Sequence, residues 1–133
     1  MEEALREHLL ADGAITALVA RRIAWNARPQ GSGLPAICVH RITGRRDNHM
    51  TGRSGLVETL IQVDCWAGGY LETLTLRDAV IAALDGLTLH PFQRAFVESE
   101  RSSLEKGDAP QGSARTVDFH RTSLDVRVWH TED

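Results

Sequence analysis

Histidine and cysteine are the side chains of this chain best suited to hold a metal ion, because both offer borderline or soft donor atoms. Cys38 and His40 lie two residues apart in a β-like run, so their side chains should share one strand face, and Cys65 occupies a second such run. None of the six histidines belongs to a His-Glu-x-x-His motif, and the two cysteines form no Cys-x-x-Cys pair. Buried thiols are the commoner case in such runs, so we predict no metal site.

A phosphate-binding loop is the second chemistry to consider, since residues 66–70 (Trp-Ala-Gly-Gly-Tyr) are typical of a strand, a turn and the start of a helix. This run lacks the Walker lysine and the spaced glycines of a dinucleotide loop. The chain has no Gly-x-Ser-x-Gly motif, and a solvated strand face explains the carboxylates of Glu98 and Glu100. We therefore predict a protein that is not an enzyme and has no cofactor.

The charge pattern argues against a dedicated nucleic-acid binder. The net charge is −3 and the isoelectric point is about 6.0, whereas such proteins usually carry a basic excess. Arg45, Arg46 and Arg53 could contact phosphates, but no aromatic side chain lies among them for base stacking. Arginines are concentrated in the first half of the chain, and aspartates and glutamates are frequent in the second half. Each subunit could dock on another through two unlike patches, but on charge alone solvated loops are the favoured interpretation.

Length and composition predict one globular domain over residues 1–133. Apolar residues make up 42% of the chain and charged residues 25%, which is ordinary globular composition. The charged N-terminus does not resemble a signal peptide, and no apolar run approaches the length of a membrane span. Two cysteines provide no disulfide framework, so we expect a soluble protein made in a reducing cytoplasm, without membrane contact.

Hydrophobic periodicity predicts three helices and four strands. The helices cover residues 2–11, a short stretch capped by Asp12, and 70–85, closed by Gly86; the strands cover 36–43, 56–67, 92–103 and 117–130; residues 44–55 and 104–116 are long loops. A change of phase in the last strand predicts a β-bulge near Arg121 and Thr122. The order ααββαββ contains no βαβ repeat. We therefore predict an α+β domain with a mainly antiparallel four-stranded sheet and helices packed on one face.

The longest predicted helix carries two apolar stripes. One stripe runs from Leu76 to Leu87, and a second, formed by Leu74 and Ile81, lies well round the helix from it. The second stripe indicates contact with another subunit or, equally, with the N-terminal helix of the same chain. The candidates for a subunit interface are Trp66, Tyr70, Leu74 and Ile81.

Several short motifs follow one another along the chain. They are Arg-Ile at 22–23, Leu-Pro-Ala-Ile at 34–37, Val-Asp-Cys-Trp-Ala at 63–67, Ala-Val-Ile-Ala-Ala-Leu at 79–84 and Ser-Leu-Asp-Val-Arg-Val-Trp at 123–129. In this order and spacing the whole chain resembles the tail completion proteins of tailed bacteriophages, also called tail terminators or head-to-tail joining proteins, and their counterparts in gene transfer agents. Ala36 departs from the pattern, in which an aromatic residue often follows the proline. No motif of this family marks an active site.

The resemblance implies a structural role in virion assembly. Such proteins form a ring, commonly a homohexamer, on the head-proximal end of the tail tube, where the ring stops tube polymerisation and presents a surface to the head connector or stopper protein. DNA passes through the lumen without sequence-specific binding. The implied location is the head–tail junction of a particle assembled in the bacterial cytoplasm. The predicted loops would face the lumen or the axial partners. The candidate residues there are Arg45, Arg46, His49, Met50 and Arg53.

Two other functions stay open. The chain could be another ring component of the neck or tail, such as a head-closure stopper or a tail tube subunit; a tube subunit would form long tubes alone. It could instead be a small enzyme or ligand-binding domain with a site near His40, Trp66 and Tyr70, and a ligand would then stabilise it.

Overall fold

A computed structural model describes residues 1–26, 34–49, 52–88, 90–108 and 116–131 of the chain. Its elements are, in order, α1 (Glu2–Leu10), α2 (Gly13–Val19), β1 (Ile23–Trp25), β2 (Ala36–His49), β3 (Gly52–Ala67), α3 (Tyr70–Leu84), β4 (Phe92–Asp108) and β5 (Thr116–Thr131). The bounds of α1 and α3 agree with the predicted helices to within one residue. No helix in these described ranges is long and apolar enough to cross a membrane.

The strands form one mixed sheet in the order β1-β2-β3-β5-β4. β1 runs parallel to β2, with Ile23 opposite Ile37, whereas the other neighbouring strands are antiparallel. The predicted α+β class is confirmed. The predicted four-stranded sheet and the order ααββαββ are wrong, because β1 adds a fifth strand before the first predicted one. β1 has only three residues, which is too short for an alternating pattern to be visible in the sequence.

The stretches predicted as long loops belong largely to two β-hairpins. β2 continues to His49 and β3 begins at Gly52, while β4 continues to Asp108 and β5 begins at Thr116. Residues 50–51 and 109–115, which belong to the two predicted loops, lie outside the described residues. A two-stranded ribbon pairs its backbone groups without burying its side chains, so its strands need no apolar alternation. For this reason the polar composition of these stretches indicated loops.

The two hairpins leave the sheet at opposite ends. Pairing between β3 and β5 runs from Leu56 opposite Thr131 to Ala67 opposite His120. Residues 52–55 of β3 therefore extend beyond one end of β5. The first residues of β5, which pair only with β4 among the described strands, extend beyond the other end of β3. Each hairpin consequently forms a surface at its own end of the molecule.

The bulge predicted near Arg121 and Thr122 is wrong, since β5 pairs with both neighbours without an extra residue of its own. The register shifts place extra residues on β2, β3 and β4 instead. β5 alternates regularly, so Thr122 and Leu124 face the helices and Phe119 faces the opposite side. The apparent change of phase has another cause: the apolar residues at the start of β5 lie on one face of the strand, and those in its later part lie on the other face.

All three helices pack on one face of the sheet. On β3, Val57, Ile61 and Val63 alternate with polar residues and join the buried core. α3 contacts β3, β4 and β5, and also α1 and α2. Fully buried members of this core are Leu5, Leu9, Ile15, Val19, Ile37, Ile61, Val63, Cys65, Leu76, Val80, Leu84, Leu124 and Val126.

Local signals end and begin the helices where the sequence predicts. The Asp12 side chain accepts hydrogen bonds from the backbone N–H groups of Ala14, at 3.0 Å, and Ile15, at 3.2 Å, and so caps α2. Gly86 follows α3 with φ of 80°, a left-handed conformation that glycine adopts without strain. Both predictions are confirmed.

Candidate interaction surface

The face of the sheet that the helices leave uncovered, here called the open face, has a hydrogen-bonded cluster at its centre. Asp64 is only 1% exposed, although it is a carboxylate. Ser123 Oγ donates to Asp64 Oδ1 at 2.6 Å and Gln62 Nε2 donates to the same oxygen at 2.8 Å. His40 Nε2 lies 3.1 Å from Asp64 Oδ2. These hydrogen bonds offset the cost of burying the carboxylate. Because the partners of Asp64 lie on β2, β3 and β5, the cluster links the three strands.

Ion pairs extend this cluster toward β4. Arg101 donates to Asp125 Oδ2 at 2.7 Å. Arg127 donates to Glu98 on β4 and Glu58 on β3, and these hydrogen bonds raise the pKa of the Arg127 guanidinium. Both arginines are thus paired with acids of the same sheet, which reduces their attraction for a phosphate backbone.

The residues around His40 include the types found in catalytic triads, but their geometry differs from a triad. His40 Nε2 faces both Cys38 Sγ, at 3.5 Å, and Asp64 Oδ2, at 3.1 Å. A triad places the nucleophile and the acid on different ring nitrogens. Ser123 donates its hydroxyl hydrogen to Asp64, so this hydrogen bond does not deliver the proton to an imidazole base. The arrangement suits the joining of three strands.

The three candidate metal ligands do not converge. Cys38 and His40 share the open face, as their spacing predicts, but Cys65 lies opposite Ile37 and belongs to the helix-covered core. Burial raises the pKa of the Cys65 thiol to about 12, which keeps it protonated at neutral pH. In the described part of the chain, no group of three or more His, Cys, Asp or Glu side chains could hold a metal ion.

The candidates predicted for the first loop lie along the β2–β3 hairpin. Arg45 and Arg46 pair with successive residues of β3, so their side chains point to opposite faces of the hairpin. His49 and Arg53 belong to the pairs nearest the hairpin turn. Met50 lies outside the described residues. The assignment of these arginines and His49 to a loop is wrong, whereas their contact with a partner stays a prediction.

The four candidates for a subunit interface occupy different environments. Trp66 lies at the end of β3, with the Arg121 guanidinium 5.1 Å from the centre of its ring. Tyr70 begins α3 and is 47% exposed. Leu74 and Ile81 are half-buried, and Ile81 packs against the core of its own chain. The second stripe of α3 is therefore explained in part without a partner. Tyr70 is the candidate with the clearest exposed surface.

Sequence reasoning missed three exposed apolar side chains. Leu71 is 75% exposed, Leu104 is 54% exposed and Ile42 is 49% exposed. Leu104 and Tyr70 line the same open cavity, of about 220 Å³. The available signal was that Leu71 and Leu104 fall outside the apolar stripes of their elements. Periodicity alone could not separate such residues from partly buried ones, because exposure depends on which neighbours the fold supplies.

Two comparisons with known proteins cover nearly the whole chain. A sequence profile described as "Tail completion protein gp17" matches residues 3–131. No curated protein matches the sequence. Among solved structures, a chain of the "Virion of native gene transfer agent (GTA) particle" has the same fold, with a TM-score of 0.64 and 19% sequence identity over 98% of this chain and 94% of that chain. The profile match confirms the predicted resemblance, and the chain belongs to the tail completion protein gp17 family of structural phage-tail proteins.

Proposed function

We propose that this protein is the tail terminator of a phage or phage-like particle. A ring of its subunits, commonly six in such proteins, would cap the head-proximal end of the tail tube, end its polymerisation and join it to the head connector. The match of the family profile to residues 3–131 carries this proposal, because it covers nearly the whole fold rather than one motif.

The shape of the subunit supports a ring with two different axial surfaces. A closed ring repeats one heterologous interface, and its two rims present different parts of the subunit to different partners. The β2–β3 and β4–β5 hairpins lie at opposite ends of the sheet. An apolar cavity of about 430 Å³, lined by Leu56, Phe96 and Trp129 among others, lies near the β2–β3 end, and Tyr70 with Leu104 lies near the other. One rim would bind the tail tube and the other the connector.

The charges of the open face support a lumen through which DNA passes without sequence-specific binding. Arg101 and Arg127, which could otherwise hold phosphates, are paired with carboxylates of β3, β4 and β5. Weak attraction suits a channel that must release DNA, since each free arginine would add a salt-dependent phosphate contact. We place the protein at the head–tail junction, after assembly in the bacterial cytoplasm.

The first experiment is light scattering after size exclusion over a concentration series, followed by polymerisation of the cognate tail tube protein with and without this chain. We expect a discrete mass near six subunits and tubes that stop growing when the ring is added, seen by electron microscopy. Long tubes formed by this chain alone would identify a tube subunit. Connector binding without any effect on tube growth would identify a head-closure stopper.

The hairpins provide a test of the two axial surfaces. Deleting residues 45–53 removes the end of the β2–β3 hairpin and should leave the fold intact, because the pairing of β3 with β5 begins only at Leu56. A matched deletion removes residues 110–114, which lie between β4 and β5 in the sequence. We expect one deletion to impair capping of tubes and the other to impair joining to heads. Particles that assemble normally with both deletions would contradict this assignment.

A further inference from the structure

The outer edge of β2 is only partly covered in the described part of the chain. β1 pairs with residues 37–39 of β2 and with no later residue. Beyond that point, every residue from 41 to 46 is exposed. An edge strand of this kind presents backbone N–H and C=O groups that can pair with another chain.

The outer edge of β4 is covered at the opposite end. Gly86 N–H donates to the carbonyl of Ala95 at 2.8 Å, and Val97 N–H donates to Asp85 Oδ1 at 3.1 Å. These contacts lie in the first third of β4. Residues 98–104 have β5 on one side, no strand of the described ranges on the other, and exposed side chains throughout. The free parts of the two edges therefore lie at different levels of the sheet.

We propose that the free edge of β4 in one copy of this chain pairs with the free edge of β2 in a second copy, whose Ile42 enters the cavity lined by Tyr70 and Leu104. The inference deepens the ring proposed above and rests on it, since it names the interface that the ring repeats. The occupant is a copy of the same chain.

Strand directions favour this pairing. β2 is antiparallel to β3, β3 to β5 and β5 to β4, so β2 and β4 of one subunit run in opposite directions. Two copies placed side by side in the same orientation bring β4 of one against β2 of the next as an antiparallel pair. The contact is heterologous, and the same contact can repeat around a ring.

The exposed apolar side chains mark the same two edges. The large hydrophobic residues exposed in the described chain are Ile42, Tyr70, Leu71 and Leu104. Ile42 lies at a register shift in the free part of β2 and is 49% exposed. The other three lie on β4 or at the adjoining start of α3, where Tyr70 shares a cavity with Leu104. Pairing of the edges would bury apolar surface that a monomer leaves in water.

The offset between the edges matches a closed sheet. Positions on the two edges can be compared through the residues of β3 that lie at the same height in the sheet. Ser102 and Leu104 of β4 lie at the height of residues 65 and 67, and Ile42 of β2 lies at the height of residue 61. The two edges are therefore offset by four to six residues along the strands. At about 3.3 Å per residue this is roughly 13–20 Å, against roughly 19 Å for the four strand spacings from one copy's β2 to the next. The strands would then tilt by about 35–45°, which is the tilt found in closed barrels.

Charge disfavours the contact between two β2 edges. The segment 41–46 of β2 carries three arginines and no acid, so a β2-to-β2 contact would place arginines against arginines. The glutamates of the β4 segment are paired within the chain, Glu98 with Arg127 and Glu100 with Arg77, and Arg41 is paired with Glu2, so charge adds little attraction to the β4-to-β2 contact.

The test is disulfide cross-linking of the purified double variant Ile42→Cys/Leu104→Cys. Within one molecule the two positions lie on opposite edges, three strand spacings or about 14 Å apart, which exceeds the roughly 7 Å limit of a disulfide. We expect oxidation to give covalent multimers on a non-reducing gel. The control, Ile42→Cys/Gln93→Cys, places the second cysteine at the covered end of β4 and should stay monomeric. Absence of 42–104 multimers at the highest soluble concentration would overturn the inference.

The experiment separates this interface from the proposed function. A six-subunit mass without 42–104 cross-links would leave the ring standing and exclude these edges. Cross-linked chains of indefinite length would establish the edges and contradict a closed terminator ring. As a second variant, Ile42→Glu should weaken self-association at least ten-fold with an unchanged circular dichroism spectrum, whereas Ala82→Glu, on the exposed surface of α3, should leave association unchanged. Equal association of both variants would contradict the proposal.

Discussion

The two faces of the sheet use the same long strands but bury their side chains by different physics. On the helix-covered face, Ile61 and Leu124 are fully buried among apolar neighbours. On the open face, Asp64 and Ser123 are almost as deeply buried, but they hydrogen-bond to each other. The free energy gained by burying apolar side chains is roughly proportional to the buried area and does not depend on direction. A buried polar group, in contrast, needs a particular donor or acceptor.

The two faces therefore contribute differently to the fold. The helix-covered face provides the bulk of the stability, because stability grows with the apolar area removed from water. The polar cluster of the open face specifies which residues of β2, β3 and β5 lie opposite one another, since a shifted register would separate His40 and Ser123 from Asp64. A polar open face also stays compatible with solvent.

The largest expected effect is the loss of a core side chain on the helix-covered side. Leu76→Ala removes a fully buried side chain of α3 and should lower the free energy of unfolding by about 2–5 kcal/mol, measured by urea denaturation. Leu71→Ala, on the same helix but 75% exposed, should change it by less than about 0.5 kcal/mol. Equal losses would mean that the faces of α3 are assigned wrongly.

A smaller loss should follow disruption of the open-face cluster. Asp64→Ala leaves the buried donor of Ser123 without its acceptor and should cost about 1–3 kcal/mol. Asp78→Ala, which removes an exposed carboxylate of α3, serves as the control. In a double-mutant cycle with Ser123→Ala the two changes should not be additive, because they remove one shared hydrogen bond. Strict additivity would show that the cluster does not act as a unit.

Protonation of His130 should weaken the helix-covered side at low pH. Burial lowers the pKa of His130, whose Nε2 lies 2.9 Å from Thr59 Oγ1. The folded state then binds a proton less readily than the unfolded state. The free energy of unfolding therefore rises with pH between the lowered folded pKa and the unfolded value of about 6.5, and this contribution is lost on acidification.

The measurement compares urea denaturation at several pH values for the native chain and for His130→Gln. The variant keeps a hydrogen-bonding side chain beside Thr59 but does not titrate, so its stability should depend less steeply on pH. His120→Gln, at the other end of β5, controls for the loss of a histidine as such. An unchanged pH dependence in His130→Gln would contradict the lowered pKa.

The smallest expected effect concerns the ion pairs of the open face. Arg127→Ala removes the bridge between Glu58 and Glu98 and should cost less than about 1 kcal/mol, because partly exposed ion pairs gain little over hydration. The difference from the native chain should shrink in molar salt, which screens such pairs. A loss as large as that of Leu76→Ala would mean that the open face contributes to stability as much as the core does.

Much of the architecture could be predicted because it depends on local signals. The stripes of α1 and α3, the cap at Asp12 and the glycine at 86 all appear in the structure where the sequence places them. The family resemblance rested on short motifs in order and is confirmed by the profile match. The shared face of Cys38 and His40 followed from their spacing alone. The functional roles of the candidate residues stay predictions.

The errors share one physical origin. β1 is held by pairing with β2, and Arg45 and Arg46 are strand residues because β3 pairs with them. Cys65 faces the core while Cys38 does not, since the register between their strands sets them on opposite sides. In each case the outcome depends on a partner distant in sequence, which local composition does not report.

The sequence by itself determined the helices, the strand-rich composition and the membership of a phage-tail family. Periodicity and short motifs involve residues that are close together in the sequence, so they are visible without the fold. Only the tertiary structure decided the length of the hairpins, the polar cluster around Asp64 and the free edges of β2 and β4. These features are set by strand register, and a shift of one residue would exchange the two faces of a strand without changing its composition.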